Sequence, residues 1–412
     1  MATSMRFNST ARGLFILYTS TLLAGIGWAM IIPTIPVLAT TFGVSIGAAA
    51  QTVTAFAAGR FVGMPIGGVV VDRLGTRVAL VGSPMGAGIA ALLAASTEWF
   101  NLILVAVFFI GAGSSVWFMG REVAGIDLTR LDQRGRVLSG FHGIHTGGLA
   151  LGPLLGGILT EAVSFRAVFV AYAVCATVAA LLGLIAHNTR PARTAAQVSE
   201  TVKGWSIGTI LQKLHALTGL FKQIKPNLRV TYVIFVFATL TSTMFRITVQ
   251  SILPLYAGSY LGFTPTEVGL LFSISGVVIF AMILPAGFVI DKVGRKWATV
   301  PSTGIPALAF LLIPFSDTFL QLAVLVSLTG IAQGLSLGSL ATSTYDVVPP
   351  SVRGRLQAVR RTIAEIGGVS APLIGGLLAN AFNPGMPFLV YAPLMLLSAV
   401  LLAVVARETL VR

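Results

Sequence analysis

Apolar residues run through the chain in long, nearly unbroken blocks divided by short polar stretches. Twelve blocks reach the roughly 20 residues that a helix needs to cross a hydrocarbon core of about 30 Å. They are 13–38, 48–71, 78–97, 101–123, 137–160, 167–186, 229–257, 266–290, 297–315, 319–345, 356–380 and 387–406. Such runs are too long and too continuously apolar for the alternation of a membrane-barrel strand. The pattern predicts an all-α polytopic membrane protein. Arg6 and Arg12 before the first block imitate a signal peptide. That block, at about 25 residues, is too long for an h-region and lacks a clear small-x-small cleavage site, so it reads as a retained first helix.

Composition removes the soluble alternatives. Of 412 residues, 55% are hydrophobic and only 10% charged, against roughly 25% charged in ordinary soluble domains. Cys175 is the single cysteine, which excludes a disulfide framework and Cys-based metal sites. The net charge of +14 would suit nucleic acid, but its placement does not. Of the 27 Lys and Arg, all but Arg60, Arg246 and Arg166 fall in loops or helix ends on one side. The other side carries Arg166 with Glu98, Glu161, Glu267 and Asp317. This is the positive-inside bias of a membrane protein. It predicts cytoplasmic N- and C-termini and no nucleic-acid partner. Short loops and the lack of a targeting extension point to a bacterial inner (plasma) membrane.

One register repeats. Asp72 and Asp291 differ by 219, as do Gly75 and Gly294, Asp127 and Asp346, Arg134 and Arg353, Gly135 and Gly354, Pro153 and Pro372, and Gly157 and Gly376. A single offset across loops and helix interiors implies two six-helix halves in parallel orientation, 1–187 and 229–412. Such repeats place a substrate site near the midplane between them. The intervening segment, 188–228, is polar and basic. Ile207, Ile210, Leu211, Leu214, Leu217, Phe221 and Ile224 recur at helical spacing, with Lys203, Lys213, Lys222 and Lys225 among them. It reads as an amphipathic helix, either lying on the anionic inner leaflet or packed on the bundle.

Two motifs support a family resemblance. Gly68-Val-Val-Val-Asp72-Arg73-Leu-Gly75-Thr76-Arg77 follows the second span, and Gly287-Phe-Val-Ile-Asp291-Lys292-Val-Gly294-Arg295-Lys296 the eighth. Both resemble the signature loop of the major facilitator superfamily, although Thr76 stands where a basic residue is usual. The resemblance covers about 13–406 and implies a twelve-helix transporter in two pseudo-symmetric halves. It also implies that Asp72 and Asp291 face the helix N-termini of the opposite half when the cytoplasmic side is shut. Arg73 or Arg77 can then pair with Asp127, and Lys292 or Arg295 with Asp346, as a conformational latch. Static anchoring is the plainer alternative. Gly148-x-x-x-Gly152-Pro153-x-x-Gly156-Gly157 in the fifth span resembles a motif of the superfamily's exporters, repeated more weakly around Pro372. Glycines four apart allow backbone-to-backbone packing, and the proline can bend the helix. Gly59, Gly63 and Gly67 show that small-residue faces are common here.

Ionisable residues deep in a span are costly and need a partner or water. Glu365 is the leading proton carrier, with His142, His145 and Glu122 as further coupling candidates. A fixed Glu–Arg pair and hydrogen-bonded histidines are the competing readings. Arg121 and Glu122 can instead reach the interface by snorkelling. Arg60 and Arg246, with Trp28 and Gln250, are the substrate-cavity candidates, since deep arginines hold carboxylates or phosphates through forked hydrogen bonds. Met30, Trp117, Met119, Phe245 and Tyr256 are material for an amphiphile pocket. Two departures weaken a simple drug:proton antiporter: many such exporters have an acid in the first span, which has none here, and an arginine four residues before a glycine in the fourth, where the position measured back from Gly111 is Val107.

No phosphate-cradling Gly-x-x-x-x-Gly-Lys-Ser/Thr loop occurs, and no nucleophile–base or metal-ligand cluster stands out. The expectation is a non-enzymatic carrier of a small molecule, a monomer without cofactor or metal, driven by the proton gradient. Export of drug-like amphiphiles leads. An organic-anion or lipid-headgroup transporter using Arg60 and Arg246 is the nearest alternative. A non-concentrating sensor or scramblase is the next.

Overall fold

The computed structural model describes residues 2–130, 133–186, 221 and 223–408, with side chains from residue 11 onward. No strand occurs among the described residues. Twelve elements of membrane length follow the predicted blocks. They are α1 Ala11–Phe42, α2 Ile46–Leu74, α3 Thr76–Ser96, α4 Phe100–Asp127, α5 Arg134–Ala162, α6 Phe165–Ile185, α7 Pro226–Tyr260, α8 Pro265–Ala281 continued by Ile283–Val293, α9 Arg295–Phe315, α10 Phe319–Val347, α11 Arg353–Ala381 and α12 Met386–Val404. Ten are long and apolar enough to span by themselves, and α8 does so as a pair bent by 42°. The remaining helix, α5, is diluted by Arg134, Arg136, His142, His145 and its glycines, yet runs 29 residues.

The signature glycines Gly75 and Gly294 each carry a tight turn. α2 ends at Leu74 and α3 begins at Thr76, leaving Gly75 alone to reverse the chain at φ 88°. Gly294 does the same between Val293 and Arg295 at φ 153°. A Cβ would be strained in either backbone conformation.

The described chain forms two compact units. One holds α1–α6 together with Ala257–Gly276; the other holds α7 as far as Tyr256 and the chain from Val277 onward. The first half of α8 belongs with the N-terminal helices because α5 offers it a surface without side chains. A Cβ at Gly157 would strike the Pro265 carbonyl, one at Gly269 the Pro153 carbonyl, and one at Gly276 the backbone of Ala150.

Backbone contact also sets the rest of the first unit. Gly59 and Gly63 of α2 lie on the Phe108 and Ala112 carbonyls of α4, and Gly111 lies on the Phe56 carbonyl. Gly148, Gly152 and Gly156 of α5 rest on the Leu22, Ile26 and Met30 carbonyls of α1. In the second unit the equivalent faces are looser. Gly367 and Gly375 of α11 meet the side chains of Leu240, Met244 and Ile252 on α7. A chain of edge-on rings, Phe245–Phe310–Phe388–Tyr256, fills this core instead.

Most of the proposed linker helix, 188–228, lies outside the described residues. Within its described end, before α7 begins at Pro226, Ile224 is fully buried, and its carbonyl accepts from Arg229 Nε at 3.1 Å.

Candidate functional site

In the second unit the signature loop is a closed charge network. α8 ends in a wide turn, Val289–Val293, that carries Asp291 and Lys292. Arg295, at the start of α9, reaches Asp291 at 3.2 Å and Asp346 at the end of α10 at 3.1 Å. Its Nη1 also donates to the Ile290 carbonyl at 2.7 Å. Glu408, beyond α12, accepts the Arg295 and Lys296 amides at 3.0 and 3.1 Å. A carboxylate there satisfies amides that the first turn of a helix leaves open and complements its dipole. The expected pairing thus forms through Arg295, and the tail adds a carboxylate that the motif did not reveal.

The first unit differs. Neither Arg73 nor Arg77 forms an ion pair with Asp127 among the described residues. Arg77 instead donates to the Leu184 carbonyl near the end of α6, at 2.9 Å. The guanidinium is spent on a helix C-terminus, where a cation is favoured.

The exporter-like glycines of α5 use two faces. Gly148, Gly152 and Gly156 serve α1, while Pro153 and Gly157 serve α8. Pro153 disrupts the helical ladder around it, and the Leu154 amide donates to Ser273 Oγ of α8 at 3.0 Å. Beyond the apolar part of α5, Glu161 accepts the Thr266 amide in the first turn of α8 at 3.1 Å. Hydrogen bonds from the Thr266 hydroxyl and amide hold this exposed carboxyl below its ordinary range. Pro372, in α11, lies in the helix interior and is buried.

Among the interior charges, Arg121 is the most buried large side chain. It does not snorkel. Its guanidinium carbon lies 4.6 Å from the ring centroids of Phe118 and Phe141 and 5.4 Å from that of Trp117. Glu122, half exposed, is its ion-pair partner at 3.6 Å. Gly125, four residues on, is where Phe141 packs: a Cβ there would come within 2.5 Å of the ring. Measuring the arginine-to-glycine spacing from Gly111 led to Val107; the buried arginine is found by measuring from Gly125. Arg360 was also counted among the loop cations and is likewise buried. Its Nε donates to Gln357 and its Nη1 to Thr239 of α7, both at 2.9 Å.

His142 is exposed and His145 partly buried on one face of α5. The His145 ring stands edge-on to Phe118 at 5.1 Å, and its Nδ1 is buried without an acceptor. Arg121, Arg60 and His142 are its charged neighbours. Arg60 is the central residue of α2 (Ile46–Leu74), about 21 Å from either end at 1.5 Å per residue. Arg246 is exposed on α7 and contacts Thr243 at 3.5 Å; Gln250, one turn on, is partly buried. Glu365 is partly buried near the middle of α11, beside Gly368. It forms no ion pair or hydrogen bond among the described residues, so no fixed Glu–Arg pair holds it.

The apolar candidates go elsewhere. Trp28 stacks on Phe56 at 3.4 Å, and both are 8% exposed. Met30, Trp117, Phe245 and Tyr256 are core residues; only Met119 is partly open.

A helical membrane protein with isolated charges at mid-depth has the make-up of a carrier. The model of the Major Facilitator Superfamily matches residues 17–245 and 235–411. The chain belongs to that superfamily and is a non-enzymatic transporter of small molecules. Its curated relatives include Multidrug resistance protein MdtG of Serratia proteamaculans (strain 568), 25% identical over 97% of this chain and 95% of the relative. Another is MdtG of Escherichia coli O17:K52:H18 (strain UMN026 / ExPEC), 26% identical over 94% and 93%. These relatives bear out the likeness to the drug:proton antiporter branch. Among solved structures, a peptide transporter POT in complex with sulfate shares the fold, with TM-score 0.78, 15% identity and coverage of 97% and 98%. A D-xylose-proton symporter does so with TM-score 0.74, 16% identity and coverage of 97% and 99%.

Proposed function

We infer that the protein exports small amphiphilic, drug-like compounds from the cytoplasm in exchange for protons, by alternating access in the inner membrane. Glu365 carries this reading. A carboxyl near the centre of a spanning helix is tolerated only for a purpose, and this one has no structural partner to hold. It is free to take up a proton, release it, and answer to a cargo. The curated relatives, named as multidrug resistance proteins, support the class of cargo. Both termini lie in the cytoplasm on this reading, and a monomer suffices.

The test uses proteoliposomes with an imposed pH gradient and a fluorescent cationic dye. The wild type should drive the dye against its gradient and move protons in step. Glu365→Gln should lower gradient-driven transport at least tenfold while dye exchange at equal concentration persists. Unchanged uphill transport in Glu365→Gln would remove the residue from the coupling. Flux that only equilibrates would point to the non-concentrating class.

A further inference from the structure

We propose that the seam between α3 and α6 holds an anionic phospholipid of the inner leaflet, with its phosphate on Arg77 and one acyl chain laid along α3. This site shares with the transport reading only the orientation of the helices, and is independent of the cargo.

The apolar half of the site is a furrow. The start of α3 and the end of α6 are pressed together: a Cβ at Gly183 would strike the Leu80 carbonyl. Beside that contact lies an open groove of about 370 Å³, lined by Leu74, Arg77, Val78, Val81, Gly82 and Leu184. Leu74, Val78 and Leu184 are exposed there. The groove continues along α3. Gly82 and Gly86 stand one turn apart on the same helical face. A Cβ at Gly82 would meet only Val78 Cγ1, at 4.0 Å, and one at Gly86 nothing within 4 Å. Two absent side chains in line leave a track bordered by the exposed Val78, Met85 and Ile89. From Val78 to Ile89 the helix rises about 16 Å, close to half of a hydrocarbon core of about 30 Å. One acyl chain of one leaflet has that reach. Farther along the seam, Leu92 with Val170, Val174 and Val178 lines a second groove of about 230 Å³.

The charged half stands at its head. Nη2 of Arg77 donates to the Leu184 carbonyl, which holds the guanidinium at the end of α6. That bond takes one of five donors, and the others meet no acceptor among the described residues. Arg73, in the last turn of α2, is a second exposed cation of the same loop. Asp72 is the one acid of residues 68–77 and pairs with neither arginine among the described residues, so the loop keeps a net positive charge. The second unit shows what completes such a corner. Lys296, the counterpart of Arg77 in the 219-residue register, donates to the Ala403 carbonyl of α12 at 3.0 Å, and Glu408 of the chain itself accepts its amide at 3.1 Å. After α6 the sequence supplies no such anion: residues 187–199 hold Arg190 and Arg193 and no acid. The anion must then come from outside the chain. At this depth it is the phosphate of an inner-leaflet lipid, whose negative surface attracts basic residues at helix ends. A guanidinium grips phosphate through parallel donors, and the furrow beneath it takes the hydrocarbon.

Native mass spectrometry of the delipidated full-length protein, titrated with one lipid at a time, gives the apparent Kd of the first adduct. The probes are dioleoyl phosphatidylglycerol, dioleoyl phosphatidylcholine and dioleoylglycerol, with glycerol 3-phosphate as a headgroup without chains. Phosphatidylglycerol should bind the wild type at least fivefold more tightly than phosphatidylcholine, and dioleoylglycerol more weakly than either. The preference should fall below twofold in Arg77→Ala and persist in part in Arg77→Lys. Gly82→Leu should weaken phosphatidylglycerol at least fivefold by filling the track. Its side chain enters open space and replaces a glycine inside a helix, so its unfolding midpoint should not fall. Arg166→Ala, at the other end of α6, should change neither affinity. The lipid-free midpoint of each variant reports folding, and Arg77→Gln replaces Arg77→Ala if the latter is misfolded. Equal affinity of the wild type for phosphatidylglycerol and phosphatidylcholine would overturn the proposal. So would a preference that survives Arg77→Ala, binding unaffected by Gly82→Leu, or displacement of the lipid by an equimolar amount of glycerol 3-phosphate. A wild-type dimer in lipid-free detergent that Gly82→Leu dissociates would give the groove to a second copy of the chain instead.

Discussion

Arg121 shows how one residue settles its charge inside a helix bundle. Its neighbours are rings rather than carboxylates, and only Glu122 supplies a formal negative charge. Desolvated cation–π contacts are worth about 2 kcal/mol or more, and exposed ion pairs about 0–1 kcal/mol. The two partners should therefore differ sharply on mutation. Arg121→Ala is expected to cost about 3 kcal/mol, from lost ring contacts and the cavity beneath Phe141. Glu122→Gln should cost less than about 1 kcal/mol, because the carboxylate is half exposed. Scanning calorimetry of the two variants in detergent decides it: an equal loss in both would mean that the ion pair, not the cage, holds Arg121. The sequence could not show this burial. Arg121 and Arg360 each lie within two turns of a helix end, and from that distance a long basic side chain can either run to the interface or fold back between helices. The direction depends on the neighbouring helices, here Phe141 of α5 for one arginine and Thr239 of α7 for the other.

At the scale of an element, the joint between α5 and α8 is the feature with the most mechanical consequence. Three backbone-to-backbone contacts, at Gly157, Gly269 and Gly276, leave no room for side chains. Two hydrogen bonds finish it: the Leu154 amide to Ser273, and the Thr266 amide to Glu161. Ser273→Ala would leave the Leu154 amide without its partner in a place water does not reach, which costs about 1–3 kcal/mol. The measurement is the unfolding midpoint, and unchanged stability would show that the amide has another acceptor. Glu161 makes the joint respond to acid. Its carboxyl is held below the ordinary range by Thr266, so its contribution is complete above the unfolded-state pKa. The contribution fades as pH falls through the lower, folded-state pKa. The midpoint of the wild type should therefore drop below pH 4 more steeply than that of Glu161→Ala. Parallel curves would mean that the contact carries no stability. The glycine spacing announced a close helix contact on α5, but not that two helices would share it. A four-residue repeat specifies a face, whereas Pro153 and Gly157 sit on a second face that only the position of α8 explains.

For the whole molecule, the twelve helices and the twofold repeat were legible because each span must be about 20 residues of apolar side chains, and each turn between α2 and α3 or α8 and α9 needs a glycine. The main departure from symmetry was legible as well, because Thr76 stands where the second half has Arg295. Arg295 joins Asp291 and Asp346, while its counterpart at the start of α3 is the uncharged Thr76; Arg77 donates to the Leu184 carbonyl of α6 just as its own counterpart, Lys296, donates to the Ala403 carbonyl of α12. The network around Arg295 ties the end of α8, the start of α9 and the end of α10, and Glu408 adds the chain beyond α12. The Arg295–Asp291 pair is exposed on its aspartate side and contributes little alone, and the network joins helix ends rather than filling a core, so the expected signature is kinetic rather than thermodynamic. Arg295→Ala should slow transport in proteoliposomes severalfold with only a small change in unfolding midpoint. Arg77→Ala should slow it less, since a single carbonyl contact between α3 and α6 is lost. Because Asp291 is largely exposed, salt should screen the network. Raising ionic strength to 1 M should slow the wild type toward the rate of Arg295→Ala and leave that variant nearly unchanged. Equal losses in the two variants would show that the signature loops act alike despite their different contacts. Salt dependence that persists in Arg295→Ala would place the controlling charges elsewhere.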